Sequence, residues 1–166
     1  GGVGKTTTAI NLGTALAAVG ENVLIIDLDP QGNASTGVGI APEARRITSY
    51  DVITGQASLS AARLQTAVPG LSVVSANSDL VGLESELMDD GAKPYRLRDA
   101  VAALIAEQRA RAGEPAFTYI LIDCPPSLNL LTLNALVAAD AVLVPVQCEF
   151  FALEGISQLK DSIDQI

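Results

Sequence analysis

The chain contains no histidine and no tryptophan, only two cysteines and one methionine, and 4% aromatic residues. Without histidine there is no Ser-His-Asp or Cys-His machinery and no histidine-ligated metal. The two cysteines, Cys124 and Cys148, are too few for a disulfide scaffold and fit a reducing compartment. Scarce aromatics leave the core to Ala, Val, Leu and Ile, a composition that suits a parallel sheet buried on both faces. Positive charge is also short, with 10 Lys and Arg against 19 Asp and Glu and a net charge of −9. Such a chain is a poor general binder of nucleic acid unless its basic residues cluster or basic surface lies elsewhere. No apolar run reaches membrane-spanning length, and no signal-peptide pattern is visible.

What is present is a chain of 166 residues, 49% hydrophobic and 17% charged, which is enough for one domain with a sizeable aliphatic core. Leu12, Leu16 and Val19 repeat at helical spacing over residues 5–19, and Gly20 is a natural stop. Aliphatic runs at residues 23–26, 71–74, 119–122 and 141–144 read as strands. Residues 31–39 are rich in Gly, Ser, Asn and Thr and read as a loop. Helices are expected at 49–54, 80–88, from Leu97 to near Gly113, at 129–138 and at 154–166.

Strands alternating with helices imply an α/β fold, a doubly wound and mostly parallel sheet with helices on both faces. Ligands of such sheets bind at the carboxyl ends of the strands. The polar clusters at residues 1–7, 27–32, 123–127 and 147–149 all fall on that edge. Residues 1–166 are expected to form a single domain of the P-loop type, truncated at both ends. The chain opens inside a glycine-rich motif and stops inside a helical pattern. On this reading the first strand is missing, and its place is beside the strands ending at Asp29 and Asp123. The isolated chain would then be poorly folded.

Gly2-Val3-Gly4-Lys5-Thr6 ahead of a helix matches the tail of the phosphate-binding loop G-x-x-x-x-G-K-[ST]. Glycines let backbone N–H groups curl around a phosphate, and the helix N-terminus adds positive dipole. Lys5 supplies a full charge to the β and γ phosphates of a bound nucleotide, and the Thr6 hydroxyl can ligate Mg²⁺. Asp123 ends a hydrophobic strand, the place for an acid that holds Mg²⁺, usually through water. Asp27 and Asp29 lie on one side of the chain if their strand continues through them. For Asp27 a turn-capping role and a direct role in the site both remain open. Phosphoryl transfer needs positioning and charge neutralisation more than covalent catalysis. Lys5, Mg²⁺ on Thr6 and a water held by Asp29 meet that need in outline.

Gly-Gly-Val-Gly-Lys-Thr-Thr-Thr at 1–8, Asp-Leu-Asp-Pro-Gln-Gly-Asn at 27–33 and Asp-Cys-Pro-Pro-Ser at 123–127 resemble the ParA (Soj-like) partitioning ATPases. These belong to the deviant Walker A group, alongside the MinD division-site ATPases and the nitrogenase iron protein. Leu-Thr-Leu-Asn-Ala-Leu at 131–136 and Val-Pro-Val-Gln-Cys-Glu at 144–149 extend the resemblance along the chain. It implies that Gly1, Gly2, Val3, Gly4, Lys5, Thr6 and Thr7 bind the phosphates of ATP. Lys5 and Asp29 are then the catalytic pair, with Asp29 positioning the attacking water, and Thr6 and Asp123 serve Mg²⁺. It further implies an ATP-dependent homodimer, a ParB-like DNA-bound partner, and a cytoplasmic, nucleoid-associated life without a membrane. Non-specific DNA binding would come mainly from a region after Ile166. The family's signature lysine falls immediately before the position of Gly1.

Two other readings compete. A membrane-cycling MinD-like ATPase is disfavoured by Asp-Cys-Pro-Pro-Ser, and a C-terminal amphipathic helix would favour it. A module that holds nucleotide without turnover is disfavoured by Lys5, Thr6, Asp29 and Asp123 together. Cys124 and Cys148 read as small filler rather than cluster ligands. Arg45, Arg46, Arg96, Arg98, Arg109 and Arg111 read as solvated faces, and Glu149, Phe150 and Phe151 as loop packing.

Overall fold

The computed structural model describes residues 4–87, 89–111, 113 and 115–146. Its centre is the strand β1 (Val23–Asp27), in which every residue is buried. Five consecutive buried positions require cover on both faces, and alternation of side chains divides that cover between two layers. Val23 and Ile25 pack with Leu71, Val73 and Ala17 under α1 (Lys5–Ala18). Leu24 and Ile26 turn the other way, toward Val74, Leu97, Leu104, Leu131 and Ala135. That second layer is made by α6 (Arg96–Ala110) and α7 (Leu130–Ala138). Fully burying one Ile or Leu contributes about 1.5–3 kcal/mol, so β1 alone is a major source of stability.

The sheet has the order β2-β3-β1-β4. β3 (Leu71–Val74) and β4 (Tyr119–Asp123) flank β1, both parallel to it. β2 (Arg63–Gln65) adds an antiparallel edge to β3. The sheet is therefore mixed, with helices on both sides, as the alternating pattern implies. α1 lies close on its layer: a Cβ added at Gly13 would sit 3.1 Å from Ile25 Cδ1 and 3.3 Å from Leu71 Cδ1.

Several elements differ from the sequence expectations. Residues 31–39 are not all loop, since Asn33–Gly37 forms a short helix, α2. The stretch from residue 78 splits into a 3-10 turn, Ser78–Gly82, and α5 (Leu83–Glu86). α3 (Ser49–Ile53) is where expected, with the Asp51 carboxylate accepting the Thr48 N–H at 2.7 Å. α4 (Leu59–Ala62) and β2 have no counterpart in the sequence reading. The strand expected at 141–144 is absent: residues 141–146 have no regular structure, and Leu143 is 66% exposed. A strand needs a ladder partner, and no described strand pairs with that segment.

The place expected for a leading strand beside the strand leading to Asp29 is corrected, while its place beside β4 is unaffected. β1 already bonds to β3 on one edge and β4 on the other, so no further strand can lie beside it. The helix expected at 154–166, Cys148 and residues 149–151 lie outside the described residues. Among the described residues no helix is long and apolar enough to cross a membrane.

Candidate phosphate-binding site

α1 begins at the carboxyl edge of the sheet. Gly4 is its N-cap, with φ of +85°, and has no side chain to occupy the first amides. The first N–H groups of any helix lack intrahelical partners, and the dipole makes that end attractive to anions. No acidic residue stands in the first turn to compete for them. Lys5 and Thr6 are half-buried there, and Thr7 is exposed. The Thr6 hydroxyl donates to Asp123 Oδ2 at 2.8 Å, tying the start of α1 to the end of β4.

Asp123 stands opposite Asp27 in the β1–β4 register. The two carboxylates are treated very differently. Asp27, fully buried, accepts the Ser35 N–H at 2.8 Å and the Ser35 hydroxyl at 2.6 Å on Oδ2. Its Oδ1 accepts the Asp29 N–H at 3.1 Å. Burial pushes its pKa up, and the Ser35 bonds pull it part of the way back. Asp123 is 2% exposed, and its pKa is pushed up to about 6. Burial is the main cause, opposed by the Thr6 hydrogen bond; the charges of Asp27 and Asp29 raise it and Lys5 lowers it. Next to it, burial pushes the Cys124 thiol up to about 11, so it is neutral near pH 7.

Asp29 leaves the strand on a tight turn. Its Oδ1 accepts the Gln31 N–H at 2.9 Å, and its carbonyl accepts the Gly32 N–H at 2.8 Å. Thus Lys5, Thr6, Asp27, Asp29 and Asp123 converge on one edge, as the motif positions imply. Gly1, Gly2 and Val3 lie outside the described residues. Sequence reasoning missed Ser35 and Ser49, whose hydroxyls go to the Asp27 carboxylate and the Asp27 carbonyl. A Ser eight residues after an Asp has no periodic signature, so no signal in the sequence would have found that pair.

Of the arginines, Arg45 turns inward, whereas Arg46 and Arg109 are exposed. Arg96, Arg98 and Arg111 pair with Asp90, Asp99 and Glu107 at 2.8, 2.8 and 2.5 Å. Among the described residues no cluster of His, Cys, Asp and Glu is built to hold a metal alone. Hydroxyl and carboxylate oxygens at Thr6 and Asp123 do suit Mg²⁺, which takes few protein ligands and completes its shell with water and phosphate.

Fold and site together define a P-loop nucleotide-binding protein of the α/β class. The chain belongs to the AAA domain family, whose model matches residues 1–166. It is 60% identical over 166 residues to the chromosome partitioning protein ParA of Caulobacter vibrioides, covering 100% of this chain and 60% of that protein. It is 45% identical over 163 residues to the sporulation initiation inhibitor Soj of Bacillus subtilis, covering 98% and 61%. The chain thus spans about three-fifths of the length of these relatives.

Among solved structures it is similar to cobyrinic acid a,c-diamide synthase of Mycobacterium smegmatis with an ATP analog and magnesium. That match has TM-score 0.88 and 39% identity, covering 99% of this chain and 62% of that one. It is also similar to an ATP complex of a McdA variant from Cyanothece, with TM-score 0.85 and 25% identity over 99% and 59%. The ParA/Soj resemblance carried by the motifs is borne out by these relatives.

Proposed function

We propose that this protein binds ATP with Mg²⁺ and hydrolyses it, and that in its full-length form it is a DNA-partitioning ATPase. It cycles between an ATP-bound, DNA-binding dimer and an ADP-bound monomer, with a ParB-like DNA-bound partner stimulating turnover. The observation that carries the reading is the Thr6–Asp123 hydrogen bond, which joins the open N-terminus of α1 to the acid ending β4. Support for the biological setting comes from the identity to ParA and Soj relatives.

The α1 amides and Lys5 would receive the phosphates, while Thr6 and Asp123 would hold Mg²⁺. The ion would neutralise charge on the β and γ oxygens. Asp29, on its stiff turn, would accept a hydrogen bond from the attacking water and orient it in line. The half-buried Lys5 would offset charge developing on the transferred group, an effect on the order of several kcal/mol in a water-poor site.

The test is DNA binding by the full-length protein with ATP, with ADP and without nucleotide. Binding that requires ATP and disappears in Lys5→Ala supports the reading; binding indifferent to nucleotide overturns the cycle.

A further inference from the structure

We propose that Arg45 is a positioning residue that sets where Asp29 sits. The inference rests on the ATPase reading above. Arg45 has no carboxylate within ion-pair distance among the described residues. Its guanidinium goes instead to three neutral acceptors, one side-chain hydroxyl and two backbone carbonyls. Nη2 donates to Thr36 Oγ1 at 2.7 Å and to the Ile40 carbonyl at 2.9 Å, Nε donates to the same carbonyl at 3.3 Å, and Nη1 donates to the Ala76 carbonyl at 3.2 Å. The planar fork spreads its five N–H donors over three nitrogens in fixed directions, whereas the three donors of a lysine all radiate from one nitrogen.

The bonds form a path to the site. Thr36 returns both its N–H and its hydroxyl to the Gly32 carbonyl at 3.0 Å. Gly32 closes the turn on the Asp29 carbonyl. A Cβ on Gly32 would collide with the Arg45 guanidinium, so the turn and the arginine are packed directly together. At the other end, the buried Ala76 has both backbone groups engaged: its N–H donates to Ser35 Oγ at 3.1 Å and its carbonyl accepts from Arg45. The segment carrying Asp29 is thereby fastened to the end of β3 through Ser35 and through Arg45. Ser35 holds it near Asp27, and Arg45 holds the far side of α2. The Asp29 carboxylate is anchored within its own turn at Gln31, so its aim depends on where that turn is held.

The experiment uses full-length protein bearing Arg45→Ala, Arg45→Lys, Asp29→Ala and the Arg45→Ala/Asp29→Ala pair. Arg45→Ala is expected to lower kcat for ATP about tenfold while affinity for a non-hydrolysable ATP analog stays within about twofold, with Arg45→Lys in between. In the pair, removal of Arg45 is expected to cost nothing beyond Asp29→Ala, because its effect acts through that carboxylate. Amide exchange at residues 31–37 is expected to rise about tenfold in Arg45→Ala while exchange in β1 is unchanged. Unaltered kcat in a folded Arg45→Ala or Arg45→Lys protein, multiplicative losses in the pair, or unchanged exchange at 31–37 each overturns the proposal. If the unmodified protein does not hydrolyse ATP, the ATPase reading fails by itself, and the exchange measurement still decides whether Arg45 holds the turn.

Discussion

β1 and β4 run side by side, and each ends in a buried aspartate followed by a proline-bearing turn. The turn after β1 wraps its own acid, so Asp27 collects donors from Ser35 and Asp29 and becomes the centre about which α2 is built. The turn after β4 supplies no such donors among the described residues, and the bond made to the buried Asp123 carboxylate comes from Thr6, in the first turn of α1. The same residue type, at the same register, in the same sheet, organises the fold in one place and, in the function proposed above, would serve a ligand in the other. What separates them is the supply of local N–H and O–H groups: a carboxylate surrounded by donors is a structural acceptor, whereas Asp123 takes, among the described residues, the Thr6 hydroxyl alone and keeps capacity for the ligand proposed above.

The largest effect that could break this comparison concerns the cation next to Asp123. Lys5→Ala in full-length protein is expected to abolish nucleotide-dependent dimerisation and DNA binding together, as read by light scattering and a filter-binding assay. Retention of either would separate the phosphate edge from assembly. Next in size, Asp29→Ala is expected to lower kcat at least about 100-fold with analog affinity preserved. Turnover at the parent rate would make Asp29 a turn residue like Asp27.

The comparison itself predicts opposite stability changes for the paired acids. Asp27→Ala strands buried donors at about 1–3 kcal/mol each and is expected to lower Tm by about 5–10 °C. Asp123→Asn in nucleotide-free protein is expected to raise Tm by a few degrees at pH 7.5. The sign follows from the direction of the shift. The pKa of Asp123 is raised in the folded state to about 6 from an ordinary 3.8, so folding favours its neutral form. Its ionisation therefore costs stability as pH rises through about 6, and below the unfolded value the cost is gone. The gain from Asp123→Asn should shrink below pH 6 and vanish near pH 4; a pH-independent gain would place its origin in packing rather than charge. The smallest effect is at Cys124, whose thiol, held at about 11, should react with a maleimide far more slowly at pH 8 than a free cysteine does.

The parts of the molecule legible in the sequence are those whose cause is local. Val23–Asp27, Leu71–Val74 and Tyr119–Asp123 are strands because aliphatic runs must be covered on both faces, and a run is visible without a partner. The meeting of Lys5, Thr6 and Asp123 at one edge is legible because the motif fixes their order along the chain. α2 was not, because a segment of Asn, Ala, Ser, Thr and Gly becomes helical through bonds to Asp27, Arg45 and Ala76 that arrive from elsewhere. Arg45 was misread as solvated for the same reason. The run at 141–144 shows the converse: aliphatic composition makes a strand only where a ladder exists to receive it.

Gly13 makes α1 a lever. Its contact with Ile25 and Leu71 lies eight residues from Lys5, about 12 Å along the helix axis. A methyl group introduced there would force its neighbours or the helix to yield by a fraction of an ångström, and a rigid helix pivoting on that point would carry the displacement to Thr6 and the first amides. Where the helix yields rather than the Ile25 and Leu71 methyls, a substitution at Gly13 would shift the amides proposed to receive a phosphate while touching none of the residues at that edge.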